Sequence, residues 1–516
     1  MTDMQKLFVS LVLSLFSLSS MAQGDWVIQR GGCTPDLTDD ASAHRAAGRR
    51  LPAINTSWDA SKTYKQMVVL FYFSDVSFSM DDPQAYYNRL FNEAGFHERN
   101  GVSCVADYFR EQSGGLFNLQ FDIYGPVQVS SVAKPNPTVT NYGGTAMREA
   151  TQLVLDANPT VDYSQYDWDG NGNIEQVIYV YAGYGGNGGE ATTGYIWPNT
   201  SSFTRLETPD GKRISSYTAS AELWSGSLKC GIGTICHEFS HSLGLPDVYP
   251  ANGWTFSVVD EWDLMDGGNF TNRGWCPPNY SPLEKMLMGW ITPTELTEPT
   301  TITNLKPASE GGTIYMVKHT DSEYLLIENR QQSGWDYGVP GRGLLVWHVD
   351  YNASAWSANT INNTRDHFRY SLVHADNRDY NAWETYLTEQ QLGTYVNSPS
   401  LNSRYLSGSP YPYVEESTTN NQLTDDSTPA AQMFNENAGG STLLGKPITN
   451  ITMDSEGLVS FDFMGSTSSS LNSLRSTLNA QPSSIYDLQG RPVAAPVAGN
   501  LYLVKYSDGT VRKVMY

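Results

Sequence analysis

The stretch from His237 to Asp247 carries the residue types of a metal-dependent hydrolase at the spacing that such chemistry needs. His237 and His241 are four residues apart, so on a helix both imidazoles share one face and can bind one zinc ion. Glu238 then stands beside a water on that metal, as a general base. Gly244 lets the chain leave the helix in a left-handed conformation, which brings Asp247 round as a third ligand. Three protein ligands leave one zinc position open, and an open position predicts a catalytic site rather than a closed structural one.

A second constraint lies downstream, at residues 262–268, where Met265 is followed closely by Gly267 and Gly268. A methionine before such glycines can form a tight turn whose thioether packs beneath a metal. An ordinary core methionine is the alternative. After the zinc motif, we interpret Met265 as part of a structural turn under the metal.

A separate acidic segment has the pattern of a calcium loop, with oxygen-bearing side chains at alternate positions and glycine at the sharp turn. The candidate ligands are Asp167, Asp169, Asn171, Asn173 and Glu175. The twelfth position is Ile178 instead of glutamate, so another carboxylate or water must complete the shell. An empty acidic turn is the alternative to a calcium site.

Two further candidates are weaker. His348 and Asp350 lie on one face of a probable strand, and we interpret them as a hydrogen-bonded structural pair rather than a metal pair. Cys33 could offer a thiolate to the zinc and keep an enzyme latent, although a disulfide or an idle cysteine is the more ordinary reading. The five cysteines are an odd number, so at least one is unpaired in an oxidising compartment.

The formal net charge of −22 argues against binding to nucleic acid or anionic membranes. Residues 1–22 read as an export signal, with Lys6, an apolar run and a small-x-small cleavage site, and a membrane-tethering helix is the alternative. No later segment is long and apolar enough to predict a transmembrane helix. Residues 23–60 are predicted to form a pro-segment, in which Arg49-Arg50 is a candidate processing site.

The two regular periods alternate over residues 61–294, which predicts an α/β catalytic domain. Expected elements are strands at 67–73 and 177–182, a strand pair near 116–130, a Gly-rich loop at 183–189, and helices at 83–93, 102–112, 146–157 and 231–243. Residues 295–464 show short alternating runs, for example 313–318, 323–328, 343–349 and 457–464, that predict an antiparallel β-sandwich-like domain. A linker at 465–481 and a small β domain at 482–516 complete the predicted organisation.

The zinc string, the Met265 turn and several flanking segments together resemble the immune-inhibitor-A-like family of secreted bacterial zinc metallopeptidases. The flanks are residues 103–110, 112–115, the loop at 167, residues 244–249, 284–285, 289–290 and 328–350. The resemblance implies a metzincin-like domain with a twisted mixed sheet and an active-site helix. It also implies zinc on His237, His241 and Asp247, Glu238 as base, and bound calcium. Gly267 stands where some metzincins have a tyrosine that assists the oxyanion, which leaves that role unassigned.

The tail, from Ile485 to Lys513, resembles the C-terminal sorting domain of the type IX secretion route. That resemblance implies a partner in the secretion machinery and a product that is released or anchored at the cell surface. A plain β accessory hairpin is the alternative.

The expected function is therefore a secreted zinc metalloendopeptidase acting on extracellular proteins or peptides. The alternative from another class is a surface adhesion or glycan-binding protein that retains a structural zinc. Glu238 disfavours that alternative, because a structural zinc site has no need of a base.

Overall fold

A computed structural model describes residues 51–134, 142–187, 194–252, 257–379, 406–465, 482–497, 500–506 and 511–515. The predicted export signal, most of the predicted pro-segment with Cys33, and nearly all of the predicted linker lie outside these ranges. In the described part of the chain, no helix has the length and apolar character needed to cross a membrane.

The N-terminal part is a mixed α/β structure built on a six-stranded sheet. Its strands are β1 (Thr63–Tyr72), β2 (Asn118–Gln128), β3 (Val177–Tyr184), β4 (Asn199–Glu207), β5 (Arg213–Ser225) and β6 (Leu228–Lys229). The order is β2-β1-β3-β5-β4, with β6 paired to β5. The first four strands of this order are parallel and β4 is antiparallel to β5. The continuous apolar runs of β1 and β3 follow from burial on both faces, as expected of parallel strands.

Helices cover both faces of this sheet. They are α1 (Pro83–Asn92), α2 (Val105–Gln112), α3 (Tyr142–Ala157) and α4 (Gly233–Ser242). Two short helices, α5 (Pro282–Leu287) and α6 (Ala353–Ser357), follow later in the chain. One core contains residues of α1, α2 and α4 with one face of β1 and β3, and a second contains α3 with the opposite face. The helix that carries the zinc motif is therefore enclosed between the sheet and later parts of the chain.

One sequence prediction in this region is wrong: residues 116–130 form a single strand, β2, instead of a strand pair. The structure accommodates Gly125 and Pro126 within this one strand, at a register irregularity in the β1–β2 pairing. Because β2 is the edge strand of the sheet, the missing N–H of Pro126 need not interrupt a central hydrogen-bond ladder.

The later strands are short and mostly antiparallel. They are β7 (Thr294–Glu295), β8 (Thr300–Leu305), β9 (Tyr315–Lys318), β10 (Glu323–Arg330), β11 (Gly343–Asp350), β12 (Tyr370–Leu372), β13 (Tyr413–Glu415), β14 (Thr418–Asn420), β15 (Ile448–Met453) and β16 (Val459–Phe463). A five-stranded sheet has the order β12-β11-β10-β9-β7, and a three-stranded sheet has the order β15-β16-β8. Near the C-terminus, β17 (Pro482–Tyr486), β18 (Leu501–Tyr506) and β19 (Val511–Met515) form a separate antiparallel sheet.

The central strands of the five-stranded sheet are buried on both faces. Along β11, Leu344 and Val346 pack toward the three-stranded sheet, whereas Leu345 and Trp347 join the core that contains the zinc-motif helix. The core is thus continuous across Thr294, where the sequence predicts a domain boundary. That boundary stays a prediction, and the packing shows that the two parts share a core.

His348 and Asp350 do not bond to each other as the sequence analysis expected. His348 Nε2 lies 2.7 Å from Glu323 Oε1, and Asp350 Oδ2 lies 2.6 Å from both His367 Nε2 and Arg369 Nη1. Neighbouring segments bring side chains within hydrogen-bond distance of each residue, whereas two residues on the same face of one strand lie farther apart. Their role here is structural, because they hold neighbouring segments together.

Candidate metal centre

Helix α4 is buried along almost its whole length and packs closely against the 3-10 segment Gly267–Gly274. Gly233 permits this approach, because a Cβ at that position would lie 2.0 Å from the carbonyl oxygen of Asn269. The close packing fixes the helix relative to the turn around Met265, and both elements contribute to the site.

The structure brings the three predicted zinc ligands together. His237 Nε2 and His241 Nε2 each lie 3.2 Å from the same atom, Asp247 Oδ1. All three side chains are buried, and their ligand atoms lie within 4.8 Å of one another. Among the described residues, His237 Nε2 and Asp247 Oδ1 have no hydrogen-bond partner. Buried polar atoms without partners are costly, so this donor set fits a cation bound between them.

Backbone carbonyls orient both imidazoles. His237 Nδ1 donates to the carbonyl of Leu264 over 2.8 Å, and His241 Nδ1 donates to the carbonyl of Leu245 over 2.8 Å. With Nδ1 protonated in each ring, Nε2 is the nitrogen available to a metal. The tautomer that metal binding needs is therefore set by the protein.

Asp247 lies beyond Gly244, which has a φ of +97° as the sequence predicted for the helix exit. Burial works to raise the pKa of the Asp247 carboxyl, but the imidazoles of His241 and His237 close beside it hold that pKa well below its usual range. Asn359 contacts Asp247 twice: Asp247 N donates to Asn359 Oδ1 over 2.7 Å, and Asn359 Nδ2 donates to Asp247 Oδ2 over 2.7 Å. Asp247 is thereby ionised and held in one orientation.

Glu238 is buried beside the histidines, and burial raises the pKa of its carboxyl above the ordinary value for glutamate. The hydroxyl of Thr200, on the edge strand β4, donates to the backbone carbonyl of Glu238, and the hydroxyl oxygen of Thr218 on β5 lies 3.2 Å from the same carbonyl. A carboxylate with a raised pKa, next to a metal site, is suited to accept and return a proton.

The turn predicted beneath the metal is buried and closely bonded. Met265 N donates to Asp263 Oδ1 over 2.7 Å, and Val248 N donates to the carbonyl of Met265 over 2.8 Å. The same turn supplies the Leu264 carbonyl that orients His237. Its structural role in the site is clear from these bonds, while the place of the Met265 thioether relative to a metal stays a prediction.

The predicted calcium loop brings three carboxylates together, those of Asp167, Asp169 and Glu175. Asp167 Oδ2 pairs with Lys212 Nζ at 2.8 Å, and Asp167 Oδ1 is buried with no hydrogen-bond partner in the described part of the chain. Burial raises the pKa of Glu175 to about 7. The other two candidates contact their neighbours, since Asn171 Nδ2 donates to Asp169 Oδ2 and Asn173 Nδ2 donates to Asn171 Oδ1.

Comparison with known proteins bears on this site directly. Residues 75–288 match the family model described as Immune inhibitor A peptidase M6, catalytic domain. This segment contains both histidines, Glu238, Asp247 and Met265. The sequence resemblance to that family is confirmed over this range, and the family implies a catalytic metal.

The named relatives have low sequence identity to this chain. "Pre-pro-metalloprotease PrtV" from two strains of Vibrio cholerae serotype O1 is 25% identical over 262 residues, covering 45% of this chain and 28% of the relative. "Immune inhibitor A" from Bacillus thuringiensis subsp. alesti is 24% identical over 246 residues, covering 40% of this chain and 35% of the relative. The chain therefore spans about a third of the length of these relatives. The family match and the relatives' names support a metalloprotease function.

Proposed function

We propose that this protein is a zinc-dependent endopeptidase that hydrolyses peptide bonds of extracellular proteins. The observation that carries the proposal is the buried group of His237, His241 and Asp247 beside Glu238. Its ligand atoms lie within 4.8 Å of one another, and two of them, His237 Nε2 and Asp247 Oδ1, have no hydrogen-bond partner among the described residues. Two imidazoles and one carboxylate form a donor set that zinc accepts, with a fourth position left for water or substrate.

A zinc ion held there supplies Lewis-acid chemistry, polarising a peptide carbonyl and lowering the pKa of water toward neutrality. Glu238 accepts the proton of the attacking water and returns it to the leaving amine. Burial favours both steps, because it raises the pKa of the Glu238 carboxyl toward the working pH. The hydroxyl of Thr200 donates to the backbone carbonyl of Glu238, which fixes the position of this residue beside the metal site.

Cleavage of unfolded casein, with and without a chelator, tests the proposal. Glu238→Ala should retain zinc and lose at least about a hundredfold in activity, the lower end of the usual contribution of general-base catalysis. His241→Ala should lose zinc as well. A fully active Glu238→Ala variant would contradict the assigned base. Chelator-insensitive cleavage would contradict the metal requirement, and no cleavage by zinc-loaded, processed protein would favour the adhesion alternative.

We also propose that the loop at residues 167–175 binds calcium. The close approach of Asp167, Asp169 and Glu175 supports this, since three carboxylates share one place with a single paired cation, Lys212, and hard oxygen ligands suit calcium. Calcium should raise the unfolding temperature of the wild type and have a smaller effect on Asp169→Asn. Glu207→Gln is a control, because Glu207 is exposed and its carboxylate contacts Arg205 outside the loop. An equal response of all three proteins would contradict the site.

Secretion and processing complete the proposed function. Residues 1–22 have the pattern of an export signal and the tail resembles a sorting domain, which together support release outside the cell or attachment to its surface. The segment just after Arg49-Arg50 is packed on the enzyme: Leu51 N donates to the Ser357 carbonyl, and Trp58 Nε1 donates to the Met288 carbonyl. Mass spectrometry of the secreted protein tests removal of the export signal and of the sorting-domain tail. Intact residues 1–22 in that product would contradict the first cleavage, and intact residues 482–516 would contradict the second.

A further inference from the structure

A segment more than a hundred residues downstream runs alongside the loop that carries the third metal ligand. We call residues 353–363, which comprise α6 and the turn after it, the clamp segment. Trp356 Nε1 donates to the carbonyl of Gly244 over 3.0 Å, and Asn363 Oδ1 accepts from Ala251 N over 2.7 Å. These contacts and the contact of Asn359 with Asp247 all join residues 112 apart in sequence. The two segments therefore lie parallel and in register.

Some side chains of the clamp segment contact only main-chain atoms of the loop that carries Asp247. Asn362 Nδ2 donates to the carbonyl of Val248 over 2.7 Å, and Trp356 and Asn363 likewise bond to main-chain atoms. Asn359 differs, because its amide bonds both the main-chain N–H and the side-chain carboxylate of Asp247. Its left-handed backbone, with a φ of +56°, aims the side chain at the ligand loop and is a conformation that asparagine tolerates well.

We propose that Asn359 is a positioning residue for the metal ligand Asp247. The Asn359 amide occupies Asp247 Oδ2 and leaves Oδ1, the atom equidistant from both histidine Nε2 atoms, as the metal-binding oxygen. The amide thus fixes the rotation of the carboxylate before metal arrives and favours binding through a single oxygen. Partners that orient a metal ligand in this way commonly contribute about ten- to a hundredfold to metal affinity. The inference rests on the proposed zinc site.

Two substitutions separate the amide from the backbone that carries it. Asn359→Gly removes the side chain and keeps the left-handed conformation available. Asn359→Asp keeps an acceptor for Asp247 N but replaces the donor by a carboxylate that faces another carboxylate. Asn363→Ala is the matched control, because it removes a side-chain bond of the same length from the same clamp segment without touching a metal ligand.

The experiment measures the dissociation constant for Zn²⁺ by competition with a chromogenic chelator, together with the unfolding temperature of the metal-free protein. We expect Asn359→Gly to bind Zn²⁺ about ten- to a hundredfold more weakly than wild type, and Asn359→Asp to bind more weakly still. Asn363→Ala should bind Zn²⁺ like the wild type while lowering the unfolding temperature about as much as Asn359→Gly. At saturating zinc, Asn359→Gly should recover most of its casein cleavage.

Wild-type zinc affinity in both Asn359 variants would overturn the inference, as would equal weakening in Asn363→Ala, which would indicate a general packing role. If Asn359→Asp fails to fold, Asn359→Gly decides the question alone. Failure of the proposed function looks different: the wild type itself would bind no zinc, or would cleave casein without Glu238.

Discussion

Replacing Arg330 by methionine should strongly destabilise the protein, because this cation links the five-stranded sheet to the metal-site turn from a buried position. Its side chain is 1% exposed. Nη1 donates to the Trp262 carbonyl over 2.7 Å, and Nη2 lies 2.8 Å from Glu328 Oε1. Asp336 lies near its Nε, at 3.8 Å. Methionine fills a similar volume but leaves two buried carboxylates without their cation.

The expected loss follows from the burial of these groups. Removing one partner of a buried ion pair typically costs about 3 to 5 kcal/mol, because the remaining charge is desolvated and uncompensated. Glu328 and Asp336 keep neutral donors, Trp347 Nε1 and the amide of Asn279, so a value near the lower end, about 3 kcal/mol, is expected. The loss of the bond to Trp262 should add to this, at about 1 kcal/mol.

Urea unfolding of the zinc-loaded protein, followed by tryptophan fluorescence, measures this difference. Arg89→Met is the control, since Arg89 pairs with Glu93 at 2.6 Å but both side chains are at least half exposed. Such surface pairs typically contribute about 0 to 1 kcal/mol. A loss below about 1 kcal/mol for Arg330→Met, or one equal to that of Arg89→Met, would refute the argument from burial.

Three further outcomes are expected. Burial lowers the pKa of His374 to about 4, below its unfolded value of about 6.5, so the unfolded state takes up a proton first and stability falls as the pH drops through this window. The loss of unfolding free energy approaches about 3 kcal/mol below pH 4. His374→Gln should flatten the profile of unfolding free energy against pH, and an unchanged profile would contradict His374 as the cause. Gly244→Ala should destabilise the protein and weaken zinc binding, because a Cβ there would lie 2.8 Å from Ile54 Cγ1 and φ is +97°; wild-type values in calorimetry and zinc titration would count against this. Thr200→Val should reduce kcat of casein cleavage without changing zinc affinity, because the Thr200 hydroxyl holds the Glu238 carbonyl, and an unaltered kcat would show that this bond is dispensable.

Much of the six-stranded sheet and its helices follows from the sequence. The apolar runs of β1 and β3 and the amphipathic pattern of α1 and α2 place these elements within a few residues of their observed bounds. β4 and β5 were not predicted, because their serine and threonine content resembles that of loops although β5 is largely buried. Their polar side chains bond to neighbouring structure, as Thr218 Oγ1 does to Gln176 Oε1 over 2.7 Å.

The grouping of the candidate metal ligands could be predicted because their spacing is local. His237, His241 and Asp247 lie within eleven residues, and helix geometry with one glycine brings them together. Asn359 and Thr200 could not be found in this way, because each reaches the site from a distant segment and neither residue type signals a metal or a base. Only the tertiary packing reveals their contacts with Asp247 and Glu238.

The register between the clamp segment and the ligand loop has a consequence for the order of folding. Contacts that join residues 112 apart exist only after the chain beyond residue 363 is available, and they close a long loop. The two histidines lie four residues apart on one helix, whereas Asp247 gains the support of Asn359 only when a distant part of the chain docks. A fragment that ends at residue 294 should therefore contain all three proposed zinc ligands and still bind zinc poorly. Zinc-dependent catalysis is thus expected to require the part of the chain after residue 294.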